Sequence, residues 1–279
     1  MRRPPAVALI VAAGVAVLSD PAAASISTDP EGVVVQSLSA DLTLGRGQDG
    51  VSALTVAETY VVDLSDSGRG GEIRREVSES FEGAPRHPRV ISITDADGGE
   101  RPREAASAGG VYSMTARADE AERGDQTFVF TYTVDGVVSV GDENEGQELA
   151  WAVTGADRSP AIGEVGATFR VPAPLVPSLS GEHRCVLRSA GSEQACDLEV
   201  TPGQLGAVLF EASIDELTAD ETMTLFVGFA PGTFTAADEA SGAWVAVVLV
   251  VVCATAVGAA VWVVVARRRT PRTGPELVP

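Results

Sequence analysis

Glu58 stands where the chemistry of its surroundings argues against a charge. Along Leu54, Val56, Glu58, Tyr60, Val62 and Leu64, every second side chain falls on one face of an extended strand. That face is otherwise apolar, and burying a lone carboxylate there is costly, so a cationic partner is expected. Arg74 or Arg75, on the next expected strand, supplies it. The spacing predicts a structural ion pair in preference to a binding site.

Other residues carry chemistry of a different kind. Asp95, Asp97 and Glu100, and again Asp142, Glu143 and Glu145, cluster hard oxygen donors on turn-forming sequence, as a calcium ion prefers. Neither cluster has the spacing of an EF-hand loop, and acidic hairpin turns are the favoured reading; no metal or other cofactor is expected. Cys185 and Cys196 flank a stretch with Ala190-Gly191 at its centre. Two strands meeting at that turn bring the cysteines opposite each other, so a disulfide is expected. With only His183 nearby, the pair makes a poor zinc set.

Nucleophilic hydrolysis needs a base beside the nucleophile. Between residues 25 and 242 the histidines are His87 and His183, for which surface or structural roles are expected. The chain has no Gly-x-Ser-x-Gly elbow, His-Glu-x-x-His helix or phosphate-binding glycine loop. Carboxylate pairs suited to a glycosidase are uninformative among so many acids. The expectation is therefore a protein without catalytic activity.

The elements that must position these residues are strands. Alternation of period two marks 33–44, 51–64, 90–94, 126–135, 148–153, 164–171 and 223–229, with turn chemistry such as Asp49-Gly50, Asp97-Gly98-Gly99 and Pro202-Gly203 between. Residues 100–110 and 118–125 read as polar loops, and 235–242 as a linker. This pattern predicts an all-β, antiparallel, immunoglobulin-like β-sandwich, with a boundary near Ser159-Pro160 as the place where it would divide into two β subdomains.

Two apolar runs set the expected topology. Residues 6–18 follow Arg2-Arg3 and precede Ala22-Ala23-Ala24, the layout of a signal peptide spanning 1–24. Residues 243–266 carry no charge and precede Arg267-Arg268-Arg269. As a helix, such a run is about 36 Å long, enough for a hydrocarbon core of roughly 30 Å. Trp244 and Trp262 suit the two interfaces, and the arginines mark the cytoplasmic side. Ala254 and Gly258 offer a small-residue face for helix packing. The expected order is a signal peptide, an extracytoplasmic domain (25–242), a transmembrane helix (243–266) and a cytoplasmic tail (267–279) on a single-pass protein of the cell membrane.

Charge narrows the partners. Fourteen Arg against thirty-seven Asp plus Glu leave residues 25–242 with a net charge of −23. Nucleic acid and anionic headgroups would be repelled.

Several segments, taken in order, resemble one family. Residues 49–60 have its acidic-Gly, strand, Val-x-Glu opening, and 72–77 its next segment. Residues 128–137 are similar to its central aromatic strand and 147–151 to its acidic-Leu-x-Trp segment, while 169–172 and 229–234 resemble two strand endings. The family is domain of unknown function 2207 (DUF2207), and the resemblance covers about 33–234. It implies a bacterial membrane protein with an exported β-rich N-terminal domain. Relatives commonly continue into further membrane segments, whereas one helix is expected here. A membrane-anchored binding or scaffolding module of the cell envelope, with an unknown envelope protein partner, is the leading expectation. An accessory subunit of a membrane complex and a hydrolase of envelope glycans are the alternatives.

Overall fold

The computed structural model describes residues 25–29, 34–65, 71–81, 83–119, 122–140, 146–155, 160–189, 191–219 and 221–237. The expected signal peptide (1–24), the expected transmembrane run with Ala254 and Gly258, the expected cytoplasmic tail (267–279), and Asp142, Glu143 and Glu145 lie outside them. Among the described residues, no helix is long and apolar enough to cross a membrane.

The described chain is strand throughout apart from turns and two single-turn 3-10 segments. Its first half contributes β1 (Ser25–Asp29), β2 (Val34–Arg46), β3 (Ser52–Asp63), β4 (Glu72–Ser78), β5 (Ser80–Phe81), β6 (Ala84–Pro85), β7 (His87–Thr94), β8 (Arg103–Ala108) and β9 (Val111–Arg117). The second half contributes β10 (Asp125–Asp135), β11 (Val138–Ser139), β12 (Gln147–Ala152), β13 (Ile162–Val171), β14 (Leu179–Ser189), β15 (Ser192–Cys196), β16 (Glu199–Pro202), β17 (Val208–Ile214) and β18 (Thr222–Phe229).

These strands form a seven-stranded sheet in the order β16-β17-β13-β2-β3-β10-β7, a five-stranded sheet β11-β12-β18-β14-β15 and a four-stranded sheet β1-β4-β9-β8, with β5 and β6 as a small hairpin. Alternation works as the sequence demands. On β3, Leu54, Val56, Tyr60 and Val62 are buried together with Glu58, and on β10 so are Phe128, Phe130, Tyr132 and Val134. The smaller sheets answer with Ile73, Val77 and Met114 on one side, and Trp151, Leu225 and Phe229 on the other, in one continuous apolar cluster. Each fully buried side chain of this size contributes on the order of 1.5–3 kcal/mol of transfer free energy.

Three expectations need correction. The sheet is not wholly antiparallel: β13 runs parallel to β2, from Ile162 opposite Val35 to Arg170 opposite Thr43. Residues 100–110 are not a loop, because 103–108 form β8, fully exposed at the edge of the four-stranded sheet. Arg103, Glu104 and the small residues that follow are weak strand formers, and pairing with β9 overrides that preference. Strands from both sides of Ser159-Pro160 share the seven-stranded sheet, and the described residues up to Ala236 fall in one compact unit, so no division falls there.

Candidate functional site: a buried carboxylate and guanidinium between sheets

Glu58 lies at the centre of β3, an interior strand of the seven-stranded sheet between β2 and β10, and is fully buried. Its partner is Arg75 on β4, also fully buried, whose Nη2 donates to Glu58 Oε1 at 2.8 Å. Alternation decides between the two arginines. Neighbouring residues point to opposite faces of a strand, so Arg75 turns inward while Arg74 turns outward to Glu72 at 3.4 Å.

Two tyrosines complete the cluster. Tyr60 Oη donates to Glu58 Oε2 at 2.8 Å, and Tyr132 Oη, from β10, donates to Oε1 at 2.7 Å. Arg75 Nε donates in turn to Tyr132 Oη at 3.4 Å, and Arg75 Nη2 also reaches the carbonyl of Val153 at 3.5 Å. Glu58 thus accepts from three donors, two of them neutral. The network ties the four-stranded sheet to the seven-stranded sheet and to the segment that follows β12. Arg75 Nη1 and Trp151 Nε1 are buried without a hydrogen-bond partner among the described residues.

Electrostatics fix the protonation states. Burial alone would lower the Arg75 pKa, but Glu58, with Tyr132 and Tyr60, outweighs it and holds the guanidinium above its ordinary value. Burial, reinforced by the Glu58 charge, pushes Tyr60 well above the ordinary phenol range. Burial does the same to Tyr132, with the nearby Arg75 opposing it. Both phenols stay protonated as donors, and every member of the cluster is shut off from solvent. Chemically this is a lock between sheets. Tyr132 was not anticipated as a member, although its place in the alternating run Phe128, Phe130, Tyr132, Val134 is the same signal that singles out Glu58.

The other expected sites fare differently. Cys185 and Cys196 are directly opposite on β14 and β15 and form a disulfide, with Cα atoms 5.0 Å apart. Asp95 Oδ1 accepts the backbone N–H groups of Asp97 at 3.0 Å and Gly99 at 2.7 Å, an ordinary aspartate-closed turn. Among the described residues, no group of three or more His, Cys, Asp or Glu is placed to hold a metal ion. His87 opens β7, half-buried opposite Asp135. His183 is exposed on β14, where its Nδ1 lies 3.0 Å from the carbonyl of Gly181 and its ring packs near Phe210.

Comparison with known proteins adds a family. A family model described as the N-terminal domain of a predicted membrane protein, DUF2207, matches residues 39–246. No curated protein matches the chain. Among solved structures, a candidate protease from Parabacteroides distasonis aligns at 12% identity and TM-score 0.41, covering 71% of this chain and 40% of its own. A mutant M1 zinc metallopeptidase from Deinococcus radiodurans aligns at 11% identity and TM-score 0.36, covering 70% and 42%. Native leukotriene A4 hydrolase from Saccharomyces cerevisiae aligns at 10% identity and TM-score 0.40, covering 70% and 29%. The chain spans less than half the length of each of these proteins.

Proposed function

The chain belongs to the DUF2207 family of predicted membrane proteins, and from that premise we propose that it is a membrane-anchored, extracytoplasmic binding or scaffolding module. In this reading the stacked sheets are an immunoglobulin-like sandwich. Residues 1–24 export it, residues 243–266 cross the membrane once as a helix, and residues 267–279 are cytoplasmic. Its role is to hold a protein of the cell envelope rather than to transform a substrate.

The observation that carries the binding role is β8. All six of its residues are exposed, it is an edge strand, and Ala105, Ala106, Ser107 and Ala108 are small. An edge of this kind leaves backbone groups open to a further strand, and small side chains let that strand approach. The buried Glu58–Arg75 lock holds the sheet that presents this edge.

A photoreactive amino acid at Ala106 of the full chain, activated in intact membranes, tests the reading. A discrete adduct with one envelope protein is expected at Ala106 and not at Glu193, exposed on β15 of another sheet. Adducts equal at both positions, or none at either, would count against β8 as a recognition edge.

A further inference from the structure

Leu205 is the one non-glycine residue with a positive φ among those described, at 56°. It lies between β16 and β17, and it is 97% exposed. An exposed leucine alone needs no explanation. An exposed leucine held in the left-handed region is different, because glycine would serve the turn without strain.

The position of that turn gives it meaning. β2 and β13 run parallel, so both finish at the same end of the seven-stranded sheet, where β17 and β3 begin. The turn carrying Leu205 is therefore at this end. A Cβ on Gly206 would lie 3.4 Å from the Ala173 side chain, which places the 172–178 loop beside it. The N–H of Ala230 donates to the carbonyl of Ser178 at 2.7 Å, which brings in the segment after β18. That segment reaches Thr235, which pairs with Gly50 and Val51 at the β2–β3 turn.

Residues 172–178, 202–207 and 230–237 contain no charged residue, on a chain whose formal net charge is −19. Exposed prolines 174, 177, 202 and 231 stiffen them. Charges border these segments in the sequence at Arg170, Glu199 and Asp238, and on the β2–β3 turn at Arg46 and Asp49, whose carbonyl accepts from the Thr235 hydroxyl. From Thr235 the sequence needs only eight more residues to reach Ala243, the start of the uncharged run, a span of at most about 28 Å.

We propose that Leu205 is an apolar foot, seated on the lipid surface of the membrane in which this chain's own 243–266 run is anchored. The inference rests on the membrane-anchored reading above. A short tether leaves this end of the sheet close to the bilayer. There, a rigid uncharged surface tolerates the interface, and a protruding leucine gains by leaving water. The occupant is neutral lipid rather than anionic headgroups, which the acidic chain repels.

The test uses the full chain with Cys253→Ser and Leu205→Cys, labelled with an environment-sensitive fluorophore and reconstituted in phosphatidylcholine vesicles. The control carries the label at Val34→Cys, 58% exposed at the opposite end of the sheet. The expected result is a blue shift at position 205 and loss of emission when shallow spin-labelled lipid is added, with neither change at position 34. Retention of the chain on vesicles after an alkaline carbonate wash, with both labels equally open to aqueous iodide, overturns the foot while the anchor stands. Self-quenching at position 205 that grows with protein density and ignores spin-labelled lipid overturns it in favour of a second copy. Loss of the chain from the vesicles in the wash overturns the anchor and the foot together.

Discussion

Glu58 and Arg75 meet at 2.8 Å across the gap between two sheets, and neither side chain reaches solvent. Removing either charge from such a pair strands the other in a medium that cannot solvate it. The pair itself owes its net benefit to the two tyrosines that saturate the carboxylate.

Glu58→Gln in the full chain is therefore expected to cost about 3–5 kcal/mol of stability, because Arg75 keeps its charge without a counter-ion. The double variant Glu58→Gln, Arg75→Met is expected to be less destabilised than Glu58→Gln alone. Denaturant titration of the three proteins checks the order. A single variant that melts like the parent would remove the lock from the account of the fold.

The buried phenols make an alkaline limit. Tyr60 and Tyr132 both have folded-state pKa values raised above the ordinary 10.0. Their contribution is fully present below pH 10. Above it, only the unfolded chain ionises, and stability falls by up to about 1.4 kcal/mol per pH unit for each tyrosine until the folded values are reached. Tyr132→Phe is expected to reduce the steepness of that fall, read from melting temperatures between pH 8 and 11, while lowering stability at neutral pH through the lost hydrogen bonds.

Cys185 and Cys196 staple β14 to β15 within the five-stranded sheet. Replacing both by serine is expected to lower stability by about 2–4 kcal/mol. Hydrogen exchange should rise first in β15, which is an edge strand and has only β14 beside it. Equal exchange in oxidised and reduced protein would contradict this.

Gly163 is a packing requirement of the parallel seam. A Cβ there would lie 2.5 Å from the backbone carbonyl of Gln36, and backbone cannot swing aside as a side chain can. Gly163→Ala is expected to cost about 1–3 kcal/mol. Its amide exchange should loosen in β2 and β13 together, and an effect confined to β13 would argue against the seam as the origin.

How far these features are legible in the sequence depends on the range of the interaction behind them. Glu58 is legible because alternation is local: one charge among Leu54, Val56, Tyr60 and Val62 announces itself. The choice of Arg75 over Arg74 follows once β4 is placed, since one residue of register reverses the face. The Cys185–Cys196 hairpin is equally local. Two features are not local. The pairing of β13 with β2 leaves no mark in either strand's composition, and β8 becomes a strand only through β9. Leu205 is invisible for a related reason: nothing in Gly203-Gln204-Leu205-Gly206 says which residue the turn will hold at positive φ.

The neighbourhood of β2 and β13 also bears on how the molecule comes into being. Ile162 meets Val35 about 127 residues later in the chain, so their contact carries a heavy loop-closure cost and is expected to form late. A ribosome delivers β2 and β3 long before β13 exists, and until then one side of β2 is an open sheet edge of thirteen residues. Such an edge invites pairing with another nascent chain. The open side of β2 is thus a hazard for as long as the chain is being delivered, and that hazard ends only when β13, in the third quarter of the sequence, has arrived beside it.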